Sequence, residues 1–136
     1  MSPEENKSIV RRLYDAQNQN YLAAIDALIS PTFMVYLPGF PQPLYGPEGV
    51  KRSMSMYRAA FPDLFITIKE QIAEGDKVVV MWTSQGTNLG PMMGMPPTGQ
   101  RMMFAGIDVW RLADGKVVET FGLQQPIGTP PPMSQF

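Results

Sequence analysis

The sequence contains no cysteine and no histidine among its 136 residues. Without cysteine there are no disulfides, thiol nucleophiles or thiolate metal sites. Without histidine the chain lacks the commonest general base and the commonest metal ligand of proteins. Catalytic triads built on histidine and the usual zinc sites are therefore excluded.

Charge is also scarce and nearly balanced, with 11 basic and 12 acidic residues and a net charge of −1. A nucleic-acid interface would need a basic patch, and no run of Lys or Arg is present. No apolar run approaches the roughly 20 residues that a membrane helix needs. The N-terminus does not resemble a signal peptide, so we expect a cytoplasmic protein that binds neither nucleic acid nor membrane.

The length is typical of one domain with a core that needs no metal or disulfide. Three helices are predicted in the first half of the chain. The first begins at Ser2, which forms a capping box with Glu5. The second covers Leu22 to Ile29 and ends before Pro31. The third begins at Gly46 and ends at Pro62.

Strands dominate the second half of the chain. Gly-containing turns separate four alternating segments, and one short strand precedes the third helix. Helices first and an antiparallel meander afterwards predict an α+β fold, in which helices cover one face of a curved sheet and enclose a pocket. We assign residues 1–125 to this domain and 126–136 to a proline-rich tail. The predicted strands are Phe33–Leu37, Leu64–Ala73, Lys77–Thr87, Arg101–Leu112 and Lys116–Gln124.

Several segments of the meander carry a family resemblance. They include Ile72–Thr83, with the letters IAEGDKVVVMWT, and Met95–Gly99 followed by Phe104–Arg111, with the letters FAGIDVWR. Together with Asp114–Glu119, Gly46–Val50 and Ala59–Leu64, they resemble the SnoaL-like polyketide cyclases from about residue 5 to residue 124. This resemblance implies the cone-shaped nuclear transport factor 2-like fold, which ketosteroid isomerases and limonene-epoxide hydrolases share.

The resemblance also implies a deep apolar pocket with an acid/base carboxylate that closes a ring by an intramolecular aldol reaction without metal or cofactor. The matching residue is Asp108. The residues themselves point to it too, because Asp is disfavoured in mid-strand between Ile107 and Val109. Desolvation on an inward face should raise its pKa and let it exchange a proton near neutral pH. The structural alternative is an Asp that pairs with an Arg or caps a loop amide.

Strand alternation and the resemblance to ketosteroid isomerases also predict the residues that surround Asp108. On the two neighbouring strands the inward positions are Val80, Trp82, Ser84 and Gly86, and Val118, Thr120, Gly122 and Gln124. The predicted substrate-binding residues are Tyr14, Tyr36, Tyr57, Trp82, Phe104, Trp110, Thr120 and Gln124.

The sequence departs from its relatives in ways that restrict the chemistry. Relatives often carry histidines near Tyr36, near Asn88 and at Thr120, and none is present. Asp108 would then act with neutral partners, which suits a substrate with an acidic α-proton, such as a β-dicarbonyl. The isomerase base has no counterpart at Leu37, and the hydrolase Arg is replaced by Gly106. No metal site is predicted, because the carboxylates are scattered.

We therefore predict a cofactor-independent cyclase or isomerase that acts on a polyketide-like or polycyclic carbonyl compound. The alternatives are a non-catalytic protein that binds a hydrophobic small molecule, and a hydrolase or dehydratase of the same fold. Strand alternation also leaves an apolar outer surface, called here the convex face. We expect it to pair two copies into a homodimer. It comprises Phe65, Met81, Met103, Ala105, Ile107 and Val109.

Overall fold

The computed structural model of the chain describes residues 1–37, 40–92 and 94–128. Three helices and six strands confirm the predicted α+β class. The helices are α1 (Pro3–Gln19), α2 (Ile25–Leu28, preceded by a 3₁₀ turn at Leu22–Ala24) and α3 (Gly46–Ala60). The strands are β1 (Ile29–Val35), β2 (Leu44–Tyr45), β3 (Phe65–Glu74), β4 (Lys77–Thr87), β5 (Arg101–Ala113) and β6 (Lys116–Ile127).

The six strands form one curved sheet in the order β2-β1-β6-β5-β4-β3. All neighbours pair antiparallel except β1 and β6, which run parallel. Buried side chains of α1, α2 and α3 pack with those of the sheet into one hydrophobic core. The helices thus cover the face of the sheet that carries the inward side chains of β4 and β5. Among the described residues, no helix is long and apolar enough to cross a membrane.

Helix α1 begins as the sequence predicts. The Ser2 hydroxyl accepts the backbone N–H of Glu5 at 3.1 Å, and the Glu5 carboxylate accepts the backbone N–H of Ser2 at 3.1 Å. At its other end, the Arg58 guanidinium of α3 donates to the backbone oxygen of Gln17 at 2.5 Å. This link fastens α1 to α3 and fixes the position of the α1 side chains, including Tyr14, over the sheet.

The region after α1 differs from the prediction. The expected helix from Leu22 to Ile29 is a 3₁₀ turn followed by one turn of α-helix, and Ile29 already belongs to β1. Pro31 therefore lies inside β1 rather than beyond a helix. It lies where the pairing with β6 changes register between Ile29 and Met34, and proline is tolerated at such an irregularity because no ladder hydrogen bond is lost.

Strand β6 differs from the prediction in two respects. It continues to Ile127, three residues beyond the predicted end at Gln124. A register shift between Arg111 and Leu112 also makes Val117, not Val118, the buried partner of Leu112, so the inward assignment of Val118 is wrong. Of the predicted proline-rich tail, residues 129–136 lie outside the described part of the chain.

The convex face is apolar and open in the single chain. Phe65 is 50% exposed and Ile107 41% exposed, although Ala105 is buried at 7%. Strand β6 adds two large side chains to this face, since Phe121 pairs with Val109 and Leu123 pairs with Ile107. Phe121 and Leu123 are 66% and 70% exposed.

Candidate active site

Asp108 lies in the middle of β5, opposite Val80 of β4 and Gly122 of β6. Its side chain is partly buried on the face of the sheet that the helices cover. A Cβ atom added to Gly122 would overlap the Asp108 Oδ1 atom. Only glycine at position 122 therefore leaves space for the carboxylate, and the local sequence of β6 is part of the site.

Helix α1 supplies the direct partner of this carboxylate. The Tyr14 hydroxyl donates a short hydrogen bond to Asp108 Oδ2. The Trp110 indole N–H in turn donates to the Tyr14 oxygen at 3.1 Å. The two rings meet edge to face, with centroids 5.9 Å apart and an interplanar angle of 84°. Trp110, Tyr14 and Asp108 thus form a chain of hydrogen bonds that joins the sheet to α1.

Burial changes the ionisation of the site. Desolvation raises the pKa of Asp108 from its ordinary 3.8 to about 6, although the hydrogen bond from Tyr14 lowers it in part. The pKa of Tyr14 is raised well above its usual value, chiefly by desolvation and then by the nearby Asp108 charge. The site therefore holds a carboxyl group that can be protonated or ionised near neutral pH beside a phenol that stays neutral.

No arginine of the described residues neutralises this carboxylate. In the described part of the chain Asp108 forms no ion pair, and its hydrogen-bond partner is Tyr14. Asp108 also caps no loop amide, since it lies inside a strand of regular pairing. The structural alternative considered for the sequence therefore does not describe this residue.

Trp82 packs beside the carboxylate from β4. Its ring lies over Gly106 of β5, where any side chain would overlap the indole. The Trp82 ring nitrogen is buried and has no hydrogen-bond partner among the described residues. It is nevertheless close enough to Asp108 to lower the pKa of the carboxyl group, without meeting the geometry of a hydrogen bond. The Trp82 N–H is thus an unused hydrogen-bond donor close to the ionised form of Asp108.

Helix α3 contributes Tyr57 to the same region. Its pKa is raised by desolvation and by the negative charge of Asp108, while nearby Gln124 lowers it. Gln124 pairs with Gly106 across the sheet and is exposed, so it belongs to the rim of the site. Tyr57 therefore lies near Asp108, and Gln124 lies near Tyr57.

The remaining predicted residues occupy different positions. Phe104 packs edge to face on Phe61, with ring centroids 6.0 Å apart, and forms an apolar wall. The Thr120 hydroxyl donates to the backbone oxygen of Val109 at 3.0 Å, so its proton is already used. Tyr36 follows β1 and is 73% exposed, which contradicts its predicted role as a polar group of the pocket. The strand that was expected to point it inward ends at Val35.

Two cavities formed by the described residues lie away from this carboxylate. One, of about 280 Å³, is lined by Met1, Asn6 and the turns at Gly75–Asp76 and Asp114–Gly115. The other, of about 270 Å³, lies between Arg101 and Ile127. Neither cavity includes Asp108. The buried ionisable group, rather than cavity size, locates the candidate site, because a desolvated carboxyl group with a specific partner is a feature of active sites.

Within the described residues, no group of three or more acidic side chains is arranged to hold a metal ion. The predicted site residues that the structure brings together are Asp108, Tyr14, Trp82, Trp110 and Tyr57. The hydrogen bond between Tyr14 and Asp108 was not predicted. A tyrosine on the buried stripe of α1 was its only signal, since a buried phenol usually needs a polar partner.

Comparison with known proteins finds one matching family model. The family model described as SnoaL-like polyketide cyclase matches residues 7–129. Among curated proteins, none matches this sequence.

Solved structures show the same fold. AclR from Streptomyces galilaeus, a proposed hydroxylase, is 31% identical with a TM-score of 0.76, over 91% of this chain and 77% of that one. A proposed SnoaL-like polyketide cyclase from Jannaschia sp. CCS1 is 27% identical with a TM-score of 0.81, over 91% and 89% of the two chains. IdmH from Streptomyces antibioticus, a proposed polyketide cyclase, is 28% identical with a TM-score of 0.74, over 88% and 91%. These neighbours confirm the nuclear transport factor 2-like fold.

Proposed function

We propose a function for this chain from the premise that it belongs to the SnoaL-like polyketide cyclase family. It is a cofactor-independent cyclase or isomerase in which Asp108 is the general acid/base. The single observation that carries this proposal is the partly buried Asp108 carboxyl group, which accepts a hydrogen bond from Tyr14 and has a pKa raised by desolvation to about 6. Such a group serves both as base and as acid near neutral pH.

A cytoplasmic location stays a prediction.

The reaction that suits this group is an intramolecular aldol ring closure. The Asp108 carboxylate takes the α-proton of the substrate, and the resulting enolate carbon attacks a second carbonyl carbon of the same molecule. One carbon–carbon bond forms, and the electron pair of the attacked C=O bond moves to its oxygen. That oxygen then takes the proton from Asp108 and becomes a hydroxyl group. The product is an isomer of the substrate, and Asp108 returns to its ionised form.

The substrate class follows from the strength of this base. A carboxylate with a pKa of about 6 is a weak base, and its hydrogen-bonding neighbours are neutral. It can remove a proton efficiently only from an activated carbon, such as the carbon between two carbonyl groups. The partly exposed ring of Phe104 provides apolar surface for the body of the substrate, and the buried indoles of Trp82 and Trp110 keep water from the carboxylate. A polyketide-like or polycyclic β-dicarbonyl compound combines both properties.

The experiment is a screen of such compounds for ring closure, with Asp108→Asn as the decisive variant. Asn keeps the shape of the side chain but cannot accept and return a proton. We expect Asp108→Asn to abolish turnover and to keep ligand affinity. Asp63→Asn, which alters an exposed carboxylate that accepts from Thr87, is the matched control and should keep turnover.

The same screen distinguishes the alternatives. If Asp108→Asn lowers affinity and the wild type converts no compound that it binds, the chain is a non-catalytic binding protein. The absence of histidine favours this second candidate. Incorporation of labelled oxygen from water would instead indicate a hydrolase.

A further inference from the structure

The two oxygens of Asp108 have different surroundings. Oδ2 accepts the hydrogen bond from Tyr14. Oδ1 lies against the α-carbon of Gly122, in the space that a side chain there would fill. Oδ2 is therefore bonded to a phenol, whereas Oδ1 accepts no hydrogen bond among the described residues.

Trp110 favours the direction of the Tyr14 hydrogen bond in which Tyr14 donates. An indole N–H can only donate, whereas a phenol has one proton to donate and oxygen lone pairs that accept. Because the Trp110 N–H occupies the Tyr14 oxygen at 3.1 Å, the Tyr14 proton is directed to Asp108. Tyr14 and Trp110 are 2% and 7% exposed, so water does not compete for either group.

We propose that Trp110 is a positioning residue, which acts through Tyr14 to hold Asp108 by Oδ2 in its basic form and leaves Oδ1 to exchange the proton with the substrate. This inference rests on the proposed function for the role of Oδ1. The hydrogen-bond chain itself is a property of the free protein and can be measured without a substrate.

The groups that face Asp108 are few. Helix α1 contributes Tyr14, α3 contributes Tyr57, and β4 and β5 contribute the two indoles. In the described ranges, no Lys or Arg is bonded to the carboxylate or shifts its pKa. Because these neighbours are uncharged near pH 6, the titration of Asp108 reports the hydrogen-bond chain with little interference from other ionisations.

The experiment is the titration of the Asp108 carboxyl band, measured as an infrared difference against Asp108→Asn. A hydrogen bond to a charged group is strong enough that Tyr14→Phe should raise the midpoint by about one to two pH units. Trp110→Phe should raise it by less, because Tyr14 then donates less strongly and can also accept from protonated Asp108. Greater hydration of Asp108 around the smaller ring would lower the midpoint instead. A raised midpoint in Trp110→Phe therefore supports the proposal, and a lowered midpoint overturns it.

The double variant provides the critical comparison. If Trp110 acts through Tyr14, adding Trp110→Phe to Tyr14→Phe leaves the midpoint unchanged. An equal rise in both backgrounds overturns the proposal, as does an unchanged midpoint in Tyr14→Phe. The matched control is Tyr57→Phe, which removes another hydroxyl near Asp108. Because this hydroxyl is not bonded to Asp108, the midpoint should stay close to that of the wild type.

A nearly isosteric change keeps the test valid if Trp110→Phe does not fold. Benzothienylalanine at position 110 keeps the shape of the indole but lacks its N–H donor, so the midpoint should rise, and an unchanged or lowered midpoint overturns the proposal. Failure of the cyclase proposal gives a different result. In that case the midpoints shift as expected, but no carbonyl compound is converted.

Discussion

Asp108 should make the protein less stable at neutral pH than at mildly acidic pH. Its pKa is about 6 in the folded protein against an ordinary value of 3.8. The folded state therefore binds more protons than the unfolded state between these two values, and the free energy of unfolding falls as pH rises through them. Since each pH unit of difference corresponds to about 1.4 kcal/mol, ionised Asp108 costs about 3 kcal/mol above the upper value.

The perturbation that tests this cost is Asp108→Asn, which keeps a neutral side chain at every pH. Relative to wild type, the variant should gain about 2.4 kcal/mol in free energy of unfolding between pH 4 and pH 8. The assay is urea denaturation across this range, and the quantity of interest is the difference between the two proteins at each pH. The exchange of carboxyl for amide can also change the free energy of unfolding by the same amount at every pH. This constant amount does not affect how the difference between the two proteins changes with pH.

A second variant gives the opposite sign. Hydrogen bonds from the Thr87 backbone and hydroxyl lower the pKa of Asp63, so this carboxylate contributes stability that is lost as pH falls through its folded-state pKa. Asp63→Asn should therefore be less stable than wild type at neutral pH, and this loss should shrink on acidification. Asp108→Asn should be more stable than wild type at neutral pH, and this gain should shrink on acidification. A flat difference for Asp108→Asn, or one that falls with rising pH, would refute the assignment of Asp108 as a desolvated carboxyl group.

Two further changes test the packing around the site and the outer surface. Gly122→Ala should displace the Asp108 carboxylate, and because a misplacement of about 1 Å can cost about 100-fold in rate, turnover should fall by that order. Gly128→Ala, with open space around it, is the control, and equal turnover in both variants would contradict the packing argument. We also propose that two copies pair through the convex face, so Leu123→Lys should convert a sedimenting dimer into a monomer. Tyr21→Lys, at another exposed ring, should not, and a monomeric wild type would rule the pairing out.

The periodic parts of the sequence were the most predictable. The capping box at Ser2 and the alternation in β4 and β5 depend on near neighbours in the chain, so helix α1 and the inward side of Asp108 were predicted correctly. The prediction for Val118 was wrong because a bulge inserts one residue into β6 and reverses the alternation counted from the turn. Beyond the bulge Thr120 and Gln124 return to the predicted face, since their register is set by β5.

The contacts between distant segments could not be predicted in the same way. Tyr36 was placed in the pocket on the assumption of a strand as far as Leu37, but β1 starts at Ile29 and ends before Tyr36. Its pairing with β6 decides these ends, and no local pattern contains that information. The bond between Tyr14 and Asp108 likewise depends on the angle at which α1 crosses the sheet, which packing of the whole core determines.

The parallel pairing of β1 with β6 also has a consequence for the order of folding. Ile29 lies opposite Val117, near the end of the described chain, whereas β3 to β6 pair as successive neighbours. Contacts between distant residues form slowly because a long loop must close first. During synthesis β1 can pair with β6 only after Lys116–Ile127 has left the ribosome, although α1 can already pack on β3 and β4. Tyr14 of α1 can contact Asp108 only once β5 has been made, so the acid/base group gains its environment in a late step of folding.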